Sequence, residues 1–354
     1  MTLVRQSNLA LFHNPLTRLA ARISFVATLA VLTVSVPAFV IGARWEGEHF
    51  FLKSYRTPDW AEANIKNTMD YVNQNHEAND VIFIGDSTTT IGIQPILFEQ
   101  ATGLRGYNLG LPGFVGMNSN LRLVERYIEI HPIPKLLVYS AHPKDYGLVP
   151  ENWGGIQDRF ARSYGVWSGG APLKQNLSIV HCVREGIRIV FGELRGGQNH
   201  YFGPNVVQWE KLVSKQRGFF GSPGKLEEKE IHKPPPSRTF SVSPWYADHL
   251  HALAELTLRR GIPLFIRPTP VLLRTQQEDA VSFIAWLREF KSKYSHVQLG
   301  NDLILTDNPQ SFGDSLHMNI TGAERFTRIL SNQVNSHYPE LKSPITHHSD
   351  EGKR

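Results

Sequence analysis

The sequence predicts an α/β fold, a doubly wound parallel sheet of the three-layer, flavodoxin-like kind, with a lid insertion and one N-terminal transmembrane helix. Short apolar runs bounded by turn residues alternate with amphipathic stretches, the pattern of buried strands and the helices that cover them. The strand, helix, strand spacing between residues 81 and 140 needs a crossover connection, and so a parallel sheet. Residues 23–43 form a run of 21 residues without a charge. With 41% apolar side chains and 28 glycines in 354 residues, the composition is that of a globular chain able to bury a sizeable core. Its single cysteine, Cys182, excludes an intramolecular disulfide framework and a cysteine-based zinc cage.

The formal charge of +5 is concentrated at one end. Residues 1–56 carry Arg5, Arg18, Arg22, Arg44, Lys53 and Arg56 against Glu46 and Glu48, while the remainder balances 31 cations against 30 anions. A nucleic-acid partner would demand basic charge gathered on a recognition domain, and none is gathered there. The excess instead flanks the apolar run, which at 1.5 Å per residue reaches roughly 30 Å, the thickness of a bilayer core. Residues 1–22 are then a cytoplasmic segment and 23–43 a transmembrane anchor. The small residues of Pro37-Ala38 and Gly42-Ala43 leave a cleaved signal open as the alternative. Flanking cations tie in number, but a long C-terminal part translocates largely regardless of charge, so the bulk of the chain is expected outside the cytoplasm.

Residues 44–77 read as a linker with a helix over 61–75, ahead of a domain at 78–340. Strands are expected at 81–84, 135–140, 263–267 and 296–299. Helices are expected at 118–130, at 243–260 opened by Ser243-Pro244 and stopped by Gly261, and at 282–294. Thr321-Gly-Ala-Glu324 reads as a capping box before a final helix reaching about His337. Over 147–242 the alternation fails amid Gly and Pro, which marks an insertion with one helical stretch near 177–194. Its Trp153, Trp167, Tyr201, Phe202 and Trp209 suit either a small core or stacking on sugar faces. Residues 341–354 are a polar tail.

Gly85-Asp86-Ser87 follows directly on the strand at 81–84, placing Ser87 at a strand's carboxyl end, where open α/β sheets bind ligands. A serine hydroxyl needs a neighbouring base, and the base an orienting acceptor. Asp314-Ser-Leu-His317, just before the last helix, offers both. The same spacing in Asp248-His-Leu-His251 falls inside a helix and reads as structural. Asp86 reads as a cap or brace of the turn.

Gly-Asp-Ser after a first strand, Asn108-Leu-Gly-Leu-Pro-Gly113 some way on and Asp-x-x-His before a last helix together resemble the SGNH, or GDSL, hydrolase family, over residues 78–150 and 240–338. The resemblance implies an SGNH-hydrolase-like sheet, with Ser87 as nucleophile, His317 as base and Asp314 orienting it. It also implies an oxyanion hole from the Ser87 N–H and a glycine, Gly113 or its neighbour Gly110. The family adds an asparagine donor within Gly-x-Asn-Asp, but here the second strand ends Ser140-Ala-His-Pro-Lys-Asp145, leaving His142 as the candidate substitute. This departure is similar to the membrane-anchored branch of D-alanine transfer and exopolysaccharide acetylation proteins. The chain is accordingly expected to be an acyl esterase or O-acyltransferase acting on an envelope or extracellular glycan, beside a membrane acyltransferase partner. A non-catalytic scaffold subunit is the alternative. Arg267, ending another strand, is a candidate substrate contact or an internal ion-pair partner. No metal site is expected, and the absence of Gly-x-Gly-x-x-Gly and Walker patterns points to no cofactor.

Overall fold

The computed structural model describes residues 19–20, 22–24, 26, 32–37, 59–74, 78–147, 204–221, 240–272 and 280–341. The chain divides into one unit of residues 1–50 with 171–201 and another of 51–170 with 202–354. In the first, all described residues are helical, and Ile23, Val26, Leu32, Val34 and Val36 are exposed. Among the described residues no helix is long and apolar enough to cross a membrane, and much of the predicted span 23–43 lies outside them. Also outside are the expected helix at 177–194, Trp153, Trp167, Tyr201, Phe202 and all of the tail but Leu341.

The second unit holds a five-stranded, wholly parallel sheet with helices on both faces. Its strands are β1 (Val81–Gly85), β2 (Gly106–Asn108), β3 (Leu136–Ser140), β4 (Leu264–Ile266) and β6 (Val297–Leu299), in the order β2-β1-β3-β4-β6. A separate parallel pair joins β5 (Val271–Leu272) to β7 (Thr306–Asp307). The register Phe83↔Val138 and Val138↔Phe265 aligns the three central strands, and side-chain alternation divides the core in two. Ile82, Ile84, Leu137, Tyr139, Leu264 and Ile266 face one cluster, with the apolar sides of α1 (Asp59–Asn73), α4 (Gly116–Ile130), α6 (Pro244–Arg259) and α7 (Val281–Lys293). Val81, Phe83, Leu136, Val138 and Phe265 face the other, with α3 (Pro95–Thr102) and α8 (Ile320–His337). Both faces being dry explains why the strands read as continuous apolar runs.

Helix boundaries follow local chemistry. Ser243 caps α6 by accepting from the Tyr246 N–H at 3.1 Å, with Pro244 at the first position. The expected capping box of α8 is displaced: the cap is Asn319, whose Oδ1 accepts from the Gly322 N–H at 3.0 Å. Thr321 already lies inside the helix, and Glu324 pairs with Arg328 at 2.9 Å instead of reaching back. Within the predicted insertion, α5 (Pro204–Lys215) packs on α1, and the following Phe220 N–H donates to the Thr90 carbonyl at 3.0 Å.

Candidate active site

The chain leaves β1 through Gly85, whose φ of +151° and close approach to the Ser140 carbonyl admit no Cβ. Asp86 then caps the short helix α2 (Ser87–Gly92). Its Oδ1 accepts from the Thr88 N–H at 2.8 Å, the Thr88 hydroxyl at 2.5 Å and the Thr89 N–H at 3.3 Å, and its Oδ2 from the His142 N–H at 2.7 Å. The bracing role read for Asp86 is the one observed. Ser87, first in the helix, is half-buried at the carboxyl end of β1, between the crossovers to β2 and β3. This is the switch point at which such sheets open a crevice.

His317 reaches the same place from the opposite end of the sequence. The turn before α8 closes on itself, with Gly313 N–H donating to the His317 carbonyl at 2.8 Å and Phe312 bridged to Met318. Asp314 Oδ1 accepts from the N–H groups of Leu316 and His317, both at 2.8 Å. Its Oδ2 is 2.8 Å from His317 Nδ1, and His317 Nε2 is 2.8 Å from Ser87 Oγ. With the proton of Nδ1 directed to the carboxylate, Nε2 is free to accept from the serine hydroxyl. Partial burial opposes ionisation of Asp314, but the hydrogen bonds and charge of His317, with the Leu316 N–H, outweigh it and hold the carboxyl below its usual value. Serine, imidazole and carboxylate, 230 residues apart at the extremes, thus form one hydrogen-bonded chain.

Of the two candidate glycines, Gly110 donates its N–H to Asn108 Oδ1 at 2.9 Å and is committed to the loop. Gly113 stands against the Ser87 turn, where a Cβ would come within 2.7 Å of Asp145 Oδ2 and 3.9 Å of Asp86 Cβ. Among the described residues no acceptor takes the N–H of Gly113 or of Ser87, the latter being an unpaired donor at a helix start. His142 is buried just beyond β3, and its Nδ1 accepts from the Lys144 N–H at 3.2 Å, which leaves the proton on Nε2. Burial lowers its pKa to about 4, against the pull of Asp86 and with added push from Lys144 and His317, so this imidazole is neutral at pH 7.

Arg267 does not join this group. It is fully enclosed, its Cδ packs where a side chain on Gly300 would stand, and Asp302 is the charge acting on it. Neither candidate role is met: among the described residues it forms no ion pair, and it has no surface to offer a substrate. The second Asp-x-x-His lies within α6, where His251 Nδ1 is 2.9 Å from the Tyr294 hydroxyl. A cavity of about 410 Å³ between α7 and residues 301–304 contains none of the triad. Among the described residues no group of His, Cys, Asp or Glu could hold a metal ion.

Sequence reasoning missed two features. Trp60, opening α1, sets its ring edge-on to His317 with centroids 6.2 Å apart and stacks on Phe220 at 5.5 Å, together with Ile91 and Val213. Asp145 lies against both Asp86 and Gly113. No local pattern marks either residue, since each acquires its neighbours only by chain convergence. No family model matches the chain, and no curated protein matches it.

Proposed function

We propose that the protein is an SGNH-type acyl-serine enzyme, an O-acyltransferase or esterase working on acyl groups of an envelope or extracellular glycan. The observation that carries this reading is the unbroken hydrogen-bonded chain from Ser87 Oγ through His317 to Asp314, with 2.8 Å at each link. His317 Nε2 takes the hydroxyl proton as Ser87 Oγ attacks an acyl carbonyl, and Asp314 stabilises the imidazolium that forms. The N–H groups of Ser87 and Gly113 receive the oxyanion, with the neutral His142 Nε2–H as a third donor in place of an amide. His317 returns the proton to the departing group, leaving an acyl-serine. In the second half, His317 deprotonates an alcohol of the acceptor, or water, and the acyl group leaves Ser87.

The Trp60–Phe220 wall stands beside His317, the base that would take the acceptor's proton. Support for an extracytoplasmic, membrane-anchored placement comes from the charge-free residues 23–43 and their basic flanks. Transfer is favoured over hydrolysis on the family resemblance alone, as is a membrane acyltransferase partner. A fluorophosphonate probe tests the reading directly. Ser87 should become labelled, Ser87→Ala should not, and Ser87→Ala should also lose acyl release from an acylated polysaccharide while unfolding at the wild-type temperature. An unlabelled wild-type chain would leave a scaffold subunit as the better account.

A further inference from the structure

We propose that Trp60 is the acceptor platform of this site: its partly exposed indole receives the C–H face of a pyranose ring while a hydroxyl of that ring meets His317 Nε2. Two contacts place the indole. It stands edge-on to His317, with centroids 6.2 Å apart and planes at 73°. It also packs on Ile91, which lies one turn after Ser87 on the same face of α2. Trp60 therefore flanks the Ser87–His317 hydrogen bond, against the imidazole on one side and the helix face that carries the serine on the other. The segment behind it is tied down. Phe220 stacks on the indole at 5.5 Å and 30°, and its N–H donates to the Thr90 carbonyl at 3.0 Å. Just before it, the Gly218 N–H donates to the Val213 carbonyl at 2.8 Å, and the Asn108 carbonyl stands where a Cβ of Gly218 would be. The Arg217 carbonyl accepts from the Asn108 N–H at 2.9 Å, and the Arg217 side chain pairs with Glu99. Trp60 and Phe220 both lie outside residues 78–150 and 240–338, the stretches that carry the family resemblance.

The position fits the acceptor rather than the acyl group. In the second half-reaction the acceptor oxygen bonds to the acyl carbon and its proton passes to His317 Nε2. The bond from that carbon to Ser87 Oγ breaks, and the serine oxygen takes the proton back from Nε2. The acceptor oxygen thus comes within about 3 Å of Nε2, and the body that bears it lies beside the imidazole, as the indole does. The acyl oxygen turns instead to the N–H groups of Ser87 and Gly113. Trp60, Phe220, Ile91 and Val213 carry no charge, and only the indole N–H among their side chains can hydrogen-bond, so the surface suits a flat, neutral body. A pyranose offers one. Its face of C–H groups, partially positive, meets the negative face of an aromatic ring, and its hydroxyls stay in water at the rim. An open-chain polyol carries similar hydroxyls and has no such face.

Acceptance of a sugar alcohol rests on the acyl-serine reading, whereas binding of the ring does not, and two measurements on the full chain separate them. In the first, the protein is acylated with vinyl acetate and offered methyl β-glucopyranoside and the open-chain polyol glucitol together, and the two esters are quantified by mass spectrometry. Trp60→Ala should lower the ratio of pyranoside ester to glucitol ester by about 2- to 12-fold relative to wild type. Trp60→Leu, which keeps apolar packing on Ile91 without an aromatic face, should fall with it, and Trp60→Phe should retain most of the ratio. A role confined to holding His317 slows both alcohols alike, so an unchanged ratio in the Ala and Leu variants overturns the platform. The second measurement needs no reaction. In Ser87→Ala, methyl β-glucopyranoside should shift an indole N–H resonance that is missing from the Ser87→Ala, Trp60→Phe double variant. If wild type forms neither ester and resists the fluorophosphonate, the acyl-serine reading fails and the resonance alone decides: a shift keeps Trp60 as a sugar-binding residue, and no shift overturns that as well.

Discussion

Acidification should destabilise this protein through His142 in a way one substitution can isolate. The imidazole is buried and neutral, its pKa lowered from 6.5 to about 4 chiefly by loss of water. In the unfolded chain it binds a proton as pH falls through 6.5, whereas the folded chain resists until about 4, so stability falls across that window. A displacement of that size corresponds to about 3 kcal/mol between pH 7 and pH 4, a large share of a typical domain's stability. The assay is urea unfolding of wild type and His142→Asn at a series of pH values. Replacement changes packing by a pH-independent amount, and the other titrating groups are common to both proteins. The difference between the two curves should therefore grow by about 3 kcal/mol in favour of the variant as pH drops from 7 to 4. Parallel curves would refute both the neutral state of His142 and the donor role built on it. The same reasoning predicts that His142→Leu slows Ser87 acylation by about 10² to 10³, the effect of losing one oxyanion donor, while His142→Asn retains most of the rate.

Asp314→Asn should slow Ser87 labelling by about 10³-fold with little change in unfolding temperature, less than the ~10⁴ of a fully buried dyad because the Asp314 side chain is 58% exposed; steady-state kinetics on a small acyl ester checks this. Trp60→Ala should raise KM for a bulky alcohol acceptor, by the ~0.5–1.5 kcal/mol typical of a lost aromatic contact, and leave hydrolysis of a minimal alkyl ester near the wild-type rate. Gly85→Ala should destabilise the fold by about 3 kcal/mol or more, since the residue has positive φ and the Ser140 carbonyl occupies the space its methyl needs; thermal unfolding followed by circular dichroism would detect it.

The extent to which the sequence revealed this architecture depends on how much of each element is locally encoded. β1 and β3 are five-residue runs buried on both faces, and α4, α6 and α8 carry apolar faces, with α6 also opened by the recognisable Ser243-Pro244 start. β2 was not foreseen because Gly-Tyr-Asn has three residues and no apolar run, and β5 and β7 have two residues each. Such strands exist through their neighbours: β2 is fixed by pairing with Val81, Ile82 and Phe83. The cap of α8 was misplaced by two residues because Thr321 and Glu324 imitate a capping box, while Asn319 also bonds the Gln310 carbonyl at 2.7 Å, a tie visible only in three dimensions. The triad was legible because each part sits beside a readable element, Ser87 after β1 and Asp314 with His317 before α8. Arg267 misled for the complementary reason. Its place at a strand end suggested an open edge, but side-chain alternation sends it into the interior beside Gly300.

The hydrogen-bonded chain of Ser87, His317 and Asp314 also shows which forces align the contact between Ser87 and His317. The Ser87 turn is closed by Asp86, and the His317 turn by Asp314 and Asn319, so each is complete without the other. The one hydrogen bond joining them contributes only about 0.5–1.5 kcal/mol net and is not enough to hold two surface turns in register. Alignment comes from behind them. Met318 fills the space a Cβ on Gly92 would take, Phe326 packs beside it, and Thr327 Oγ1 accepts from the Gln94 N–H at 3.0 Å. Met318 and Phe326 are each about 1% exposed and belong to the core cluster of Ile93 and Phe98. Full burial of such side chains contributes about 1.5–3 kcal/mol apiece, so the apolar seam between α8 and the α2–α3 segment outweighs the bond it aligns. The geometry at Ser87 Oγ is consequently a property of that seam, and the hydroxyl and imidazole are left free to exchange a proton without also having to hold the site together.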